Sequence, residues 1–289
     1  MVKQITVKGF LSTTLLLVTI TSVLAQGGKG QTLPRPDHVV IVIEENKSYS
    51  QIVLGSEAPY ILSLAKQGAL FTQSYAIVHS SQPNYLALFS GSTQGITDNS
   101  CPHALSGDNL GAKLFNAGLT FAIYSESMPS VGYTGCVYGH YYRKHNPAVN
   151  WQGVNIQPEV NMPFNMFPSD YSKLPTVSIV VPNQLNDMHD GAPPDAIIQG
   201  DKWLKDNLDS YVIWAATHNS LLIVTWDEDD ESSNNHIATI FVGPMVKRGV
   251  YDKRIDHYNV LRTIIDMYDL RPLGKTDRVS PIKGIWGAR

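Results

Sequence analysis

The sequence predicts an α/β fold, a three-layer α/β/α sandwich around a mostly parallel central sheet. Short apolar runs rich in β-branched residues recur along the chain, as expected of strands buried on both faces. Helix-like amphipathic segments separate these runs. Acids, amides, a hydroxyl and imidazoles gather just after them, at the strand ends where open sheets of this kind bind ligands.

The elements follow in chain order. Lys3 and Lys8 precede an apolar stretch from Phe10 to Leu24, and Val23-x-Ala25 offers small residues before Gln26, so residues 1–25 read as a secretory signal peptide and the chain as secreted or periplasmic. A polar, Gly-rich linker over 26–37 leads into one domain, 38–289. Strands are expected at His38–Ile43, Ala69–Val78, Leu119–Tyr124, Thr176–Val181, Leu221–Trp226 and Ile237–Val242. Helices are expected at Pro59–Gly68, Pro83–Ser90, Gly111–Ala117, Asp195–Trp214 and Asp256–Leu270. Residues 126–173 break the rhythm with Tyr, Asn, Pro and Met, which reads as a lid-like insertion.

Composition narrows the class. The 289 residues are 43% hydrophobic and 16% charged, enough apolar material for one large domain. Loss of 1–25 removes Lys3 and Lys8, leaving 20 of 22 basic side chains against 25 acidic ones, a charge of −5. Such a chain offers no broad basic surface, so nucleic acid is excluded as a partner. No later apolar run approaches the about 20 residues that span a bilayer, so no stable membrane insertion is expected after signal cleavage. Cys101 and Cys136 lie in loop-like sequence. In an exported chain an intramolecular disulfide is the expectation, with two buried thiols or an intermolecular bridge as the alternatives.

The chemistry gathers at strand ends. Glu44-Glu45-Asn46 closes the first strand and His79-Ser80-Ser81-Gln82-Pro83-Asn84 follows the second. Asn183, Asn186, Asp187, His189 and Asp190 follow the strand at Thr176, and five carboxylates, Asp227 to Glu231, follow the one at Leu221. Carboxylates this close repel one another when unpaired but become favourable ligands around a cation. The oxygen donors suit Mg²⁺, Ca²⁺ or Mn²⁺, and added imidazole admits Zn²⁺ or Fe. Asp227 and Glu228 read as metal ligands, whereas Asp229 to Glu231 read as a solvated run. Ser81 is the candidate nucleophile, placed near a helix N-terminus where backbone N–H groups attract phosphate-like anions. His189 and His236 read equally well as ligands or as hydrogen-bonded structural residues, and His257 as a cap or packing residue.

The stretches VVIVIEENKSY, HSSQPNYLALFSG, YYRKHNP, VPNQLNDMHDG, IVTWDED and DHYNVLRTIIDMYDL, spanning about residues 38–273, resemble the phosphoesterase family of acid phosphatases and phospholipase C-type enzymes, within the alkaline phosphatase-like superfamily. The resemblance implies that Glu45, Asn46, Ser81, Asp227 and Glu228 hold a divalent cation, with Asp187 and His236 as further candidates. It implies Ser81 as nucleophile, His145 and His189 as catalytic histidines, and Asn46, Arg143, Lys144 and His145 as substrate contacts. The expected activity is exported, metal-dependent, acid phosphatase-like phosphomonoester hydrolysis through a phosphoserine. A phospholipase C-type diesterase and a non-catalytic, metal-stabilised extracellular binding protein are the alternatives. The expected substrate is a small phosphate ester or a phospholipid.

Overall fold

Every residue from Val39 to Glu44 is buried, so the strand His38–Glu44 (β1) sits at the centre of the sheet. The computed structural model describes residues 1, 2, 4, 33–151, 153 and 155–287, and Leu33–Arg289 forms one compact unit. The signal-peptide reading of 1–25 and most of the 26–37 linker fall almost wholly on residues outside that set. No helix among the described residues is long and apolar enough to cross a membrane.

Two strands pair with β1 in parallel, Val177–Val181 (β7) on one side and Ser220–Trp226 (β8) on the other. Phe121–Ser125 (β3) lies outside β7, and Asn161–Pro163 (β6) outside β3. Beyond β8 comes His236–Val242 (β9), antiparallel both to β8 and to Ala69–Tyr75 (β2). Gly249–Tyr251 (β10) and Ile255–Asp256 (β11) pair with β2 in parallel. The path is β10-β2-β9-β8-β1-β7-β3-β6, with β9 alone running against the rest. This is the mostly parallel sheet the sequence predicts.

Strand alternation distributes the core between two layers. Val39, Ile41 and Ile43 face the helices Ser81–Ser90 (α3), Leu110–Asn116 (α4) and His257–Met267 (α6). Val40 and Val42 face Tyr49–Val53 (α1), Pro59–Gln67 (α2) and Asp195–Ala215 (α5). Each such aliphatic side chain, once fully buried, stabilises the fold by about 1.5–3 kcal/mol. Local signals set the ends. Asp256 and Asn259 form a capping box that starts α6, and Gly91 ends α3 at φ 70°, where a Cβ would stand 2.1 Å from the Leu273 carbonyl oxygen.

The segment 126–173, expected as a lid, is mostly exposed or half-buried but sends one stretch, 145–151, into the core. Ala148, Val149, Trp151 and Val160 are buried, and β6 within it forms the sheet edge. Its apolar residues follow no regular period because they sit in short 3₁₀ turns, at Arg143–His145, Pro147–Trp151 and Pro158–Val160. An intramolecular disulfide joins Cys101 to Cys136 across this region.

Arg143, expected to contact substrate, is buried instead as a loop clamp. Its guanidinium donates to the carbonyls of Thr134 (2.7 Å) and His103 (2.7 Å) and to Asn150 Oδ1 (3.2 Å). With a further bond to the Val149 carbonyl, four of the five guanidinium N–H groups are committed inside the protein. Arg143→Met is therefore expected to destabilise the fold by about 3 kcal/mol, because it strands buried acceptors. Urea unfolding is the measurement, and a KM defect with an unchanged midpoint would restore the substrate-contact role.

Candidate active site

Sheet register assembles the centre of the site. β1 and β8 pair up to Glu44 opposite Trp226, and the ladder continues one step as Asp227 N–H donates to the Glu44 carbonyl (2.9 Å). Glu45 and Asp227 therefore leave adjacent strands side by side. Asn46 takes a left-handed backbone, φ 49°, and its N–H donates to Asp227 Oδ1 (3.3 Å). Alternation sends Glu44 to the opposite face, where burial, reinforced by nearby acids, pushes its carboxyl well above the usual range.

Ser81 is the first residue of α3, and Ser80 at the N-cap makes no side-chain cap bond. The approach is held by Asn84, whose Oδ1 accepts from the N–H groups of Ile77 (2.9 Å) and Val78 (3.2 Å) and whose Nδ2 donates to the carbonyls of Val78 and Ser80. Ser81 Oγ, on a residue only 1% exposed, lies 2.9 Å from Glu228 Oε1 and 3.2 Å from Glu45 Oε2, sharing one proton between them. His79 steadies Glu228, with Nδ1 2.7 Å from Oε2. Burial raises the Glu228 carboxyl against the hydrogen bond from Ser81.

One turn along α3, the Tyr85 hydroxyl donates to Glu45 Oε1 (2.6 Å), and its ring stacks on His145 at 5.0 Å. His145 Nε2 is 3.0 Å from Glu45 Oε1, off the line of a hydrogen bond, and Nδ1 is 3.5 Å from Asp187 Oδ2. Burial drops His145 to about 4 despite Glu45, so the ring is neutral at neutral pH. Burial alone would raise Glu45, but His145, Lys144 and the Tyr85 hydroxyl hold it down to about 2. Asp187 and Asp227 are pushed well above the usual carboxylate range, first by burial and then by the charge of Glu45.

Four buried atoms here lack a hydrogen-bond partner: Asn46 Oδ1, His145 Nε2, Asp187 Oδ2 and Asp227 Oδ2. Each such atom costs about 1–3 kcal/mol if left unsatisfied. Glu45, His145 and Asp187 each bring a ligand atom to within 4.8 Å of the others. Orphaned oxygens, an orphaned imidazole nitrogen and mutually repelling carboxylates fit a divalent cation.

A cleft of about 420 Å³ opens over Ser81, lined by Asn46, Lys47, His79, Ser80, Asn99, His189, Glu228, Asp229, Asp230 and Glu231. His189 stands at its mouth, 30% exposed, with Nδ1 3.0 Å from Asp190. The other expected residues are placed differently. His145 is buried behind Glu45, and Lys144 acts on Glu45 through its charge. His236, a candidate metal ligand, is stacked between Tyr49 (4.7 Å) and Tyr75 (5.0 Å), and its Nε2–H donates to the Thr72 carbonyl (2.8 Å). It is a packing residue, remote in its contacts from the buried carboxylates. Asp229, expected solvated, is buried and accepts the N–H groups of Glu231, Ser233 and Asn235; Asp230 and Glu231 are exposed as expected. His257 is a packing residue as expected, its Nε2–H donating to the Asp227 carbonyl.

Sequence reasoning passed over Tyr85, Lys47 and His79. Tyr85 was findable, since four residues after Ser81 puts it on the same helix face. Lys47 directly follows Asn46 and is buried, its Nζ donating to the carbonyls of Asn46 and Met188.

A three-layer fold with a buried serine beside clustered carboxylates at its strand ends offers a nucleophile and a cation site, the equipment of a hydrolase. The chain belongs to the Phosphoesterase family, which matches residues 53–271. Among relatives, it is 46% identical to the phosphatidylinositol-3-phosphatase of Mycobacterium tuberculosis (strain ATCC 25618 / H37Rv), over 99% of this chain and 94% of that one. It is 31% identical to the phosphate-repressible acid phosphatase of Penicillium chrysogenum, over 83% of this chain but 61% of the longer fungal protein. Solved structures support the fold: a protein of the alkaline phosphatase superfamily from Vibrio parahaemolyticus has a TM-score of 0.59 at 12% identity, covering 82% of this chain and 67% of that one. The phosphonate monoester hydrolase of Agrobacterium radiobacter has a TM-score of 0.56 at 12% identity, covering 82% of this chain and 74% of that one.

The raised carboxyls set the sign of the pH dependence. In the cation-free fold, the contributions of Asp187, Asp227 and Glu228 are fully present below their unfolded value, about 4, and are lost as pH rises through their higher folded values. A cation must displace those protons. The thermal-shift gain from saturating cation is therefore expected to grow from about pH 4 towards neutrality, while His145, already neutral above about 4, adds no opposing change. A gain that shrinks with rising pH would contradict this. Tyr85→Phe removes the donor that orients Glu45 and is expected to weaken cation affinity about tenfold or more, read by titration calorimetry.

Proposed function

We propose that the protein is an exported, metal-dependent phosphomonoesterase working through a phosphoserine on Ser81. The observation that carries this reading is the buried Ser81 hydroxyl at the start of α3, with its proton held between Glu228 and Glu45. A hydroxyl buried between two carboxylates is poised to lose its proton, not merely to cap a helix.

The substrate phosphoryl group enters the cleft over Ser81. Ser81 Oγ attacks phosphorus and its proton passes to Glu228, whose raised carboxyl makes it the better base of the pair. The P–O bond to the leaving alcohol breaks, and His189 at the mouth supplies the proton that alcohol takes up. Water then cleaves the phosphoserine, passing its proton to His189, and Glu228 returns its proton to Ser81. Lys47 and Lys144 offset part of the carboxylate charge that would repel a phosphate dianion. Glu45, His145 and Asp187, with Asn46 and Asp227 beside them, would hold a divalent cation; once bound it supplies charge neutralisation and Lewis acidity at the phosphoryl oxygens. Mg²⁺, Ca²⁺, Mn²⁺ and Zn²⁺ all take such oxygen donors, and the imidazole of His145 favours a transition ion.

Export is supported by the signal-like residues 1–25 and by the Cys101–Cys136 bridge, a bond suited to an oxidising compartment. The phosphatidylinositol-3-phosphatase relative points to a phosphomonoester carried on a lipid headgroup as the substrate. The test is p-nitrophenyl phosphate hydrolysis by the mature chain, as purified, after chelation, after return of each ion, and in Ser81→Ala. Turnover is expected to vanish on chelation, to return with one or more ions, and to fall about 10³-fold or more in Ser81→Ala. Chelation-resistant turnover, or a Ser81→Ala enzyme as fast as wild type, would overturn the reading.

A further inference from the structure

Apart from the hairpin of Val137–Tyr138 (β4) and Tyr141–Tyr142 (β5), every strand among the described residues belongs to the main sheet, and on one side that sheet ends at β10. Register sets Val250 of β10 opposite Leu70 of β2, so the two side chains share one face of the sheet. Leu70 packs in the layer that holds α2. On α2, Leu62, Ala65 and Lys66 are spaced i, i+3 and i+4 and so share a helix face, while Ile61 and Leu64 turn fully into the core. Between that face and Arg248–Val250 lies a groove of about 420 Å³.

The groove is apolar along its wall and basic at its rim. Leu62, Ala65, Leu70 and Val250 make the wall, and Val250 is 70% exposed. Lys66 and Arg248 are its charged residues, and no acid lines it, although the chain carries 25 acids against 22 bases. Both cations are exposed, and neither side chain makes a hydrogen bond or ion pair among the described residues. Each has an ordinary reading, Lys66 answering the dipole in the last turn of α2 and Arg248 guarding a sheet edge. Neither reading accounts for their convergence on one apolar hollow with no acid between them.

The lining chooses the occupant. An apolar wall favours an apolar ligand, and two unopposed cations favour one with an anionic end. The lining side chains offer donors only, so a peptide laid in the groove would find no side-chain acceptor for its backbone N–H groups. An acyl chain brings no such groups. The volume stands low in the range of ligand sites, about 300–1,000 Å³, which suits one chain and not a diacyl lipid.

We propose that the groove between α2 and β10 binds one long-chain fatty acid, its chain along Leu62, Ala65, Leu70 and Val250 and its carboxylate on Lys66 and Arg248. The site is separate from the phosphomonoesterase cleft. Val250 lies opposite the start of β2, whereas the chain enters the cleft at His79, beyond the end of that strand.

The test is titration calorimetry of the mature chain with dodecanoate, decanoate and dodecyltrimethylammonium. Dodecanoate is expected to bind, and decanoate about tenfold more weakly, since two fewer methylenes are buried. Dodecyltrimethylammonium, the same chain under a cationic head, is expected to bind about tenfold or more below dodecanoate. Lys66→Ala/Arg248→Ala is expected to lose about tenfold in dodecanoate affinity, and Val250→Asp, which sets an acid in the groove, as much or more. Both variants change exposed residues and are expected to keep the midpoint of thermal unfolding. No dodecanoate binding, no dependence on chain length or head charge, or unchanged affinity in both variants overturns the proposal. So does dodecanoate affinity that falls on chelation, which would put the carboxylate at the cation centre. An oligoglutamate peptide binding as tightly as dodecanoate would also overturn it, by making the occupant an acidic protein segment.

Discussion

The crowding of the buried carboxylates Glu45, Asp187 and Asp227, with Glu228 beside them in the cleft wall, is the constraint on which the site depends. Carboxylates this close in a medium of low permittivity repel strongly, and the protein answers only part of that repulsion with its own groups. Tyr85 and Lys144 favour the charged form of Glu45, while burial leaves Asp187 and Asp227 with raised carboxyls and one unpartnered oxygen each. The remainder is the electrostatic deficit a cation fills, which ties the stability of the centre to its occupancy.

Backbone, not loop contacts, brings those groups together. The ladder between β1 and β8 runs one residue past the strand ends, which sets Asp227 beside Glu45. The β1–β7 pairing places the loop carrying Asp187 on the other flank, where Glu45 N–H donates to the Asp187 carbonyl. From the α3 side, Ser81 and Tyr85 meet the same carboxylate from successive turns. Rigid elements thus fix the nucleophile and its neighbours, as preorganised catalysis requires.

Legibility followed periodicity and adjacency. The β-branched runs at His38, Thr176 and Leu221 and the long helix at Asp195 gave strands and a helix close to those found, because each signal spans a whole buried element. Strand-end motifs marked Glu45, Asn46, Ser81 and Asp227, since a parallel sheet gathers its carboxyl ends by construction. What escaped depends on contacts distant in sequence or on irregular backbone. Arg143 clamps carbonyls on the loops at His103 and Thr134, His236 is held between Tyr49 and Tyr75, and Asp229 is consumed by the turn that follows it. No local pattern distinguishes a guanidinium bound to carbonyls from one awaiting phosphate. Within residues 126–173 the buried stretch gave no signal for a related reason: short 3₁₀ turns bury Trp151 and Val149 without any repeating spacing.

The central strand is also the earliest one among the described residues. Val40 is flanked by Ser178 on one side and Leu222 on the other, so β1 leaves the ribosome long before either neighbour exists. Until β7 and β8 emerge, the run His38–Glu44 presents two unpaired edges and two apolar faces, the arrangement most prone to self-association. Pairings so far apart in sequence also slow folding, because the loop must close before the contact rewards it. Synthesis therefore asks for chaperone shielding on the same seven residues that later anchor the finished sheet.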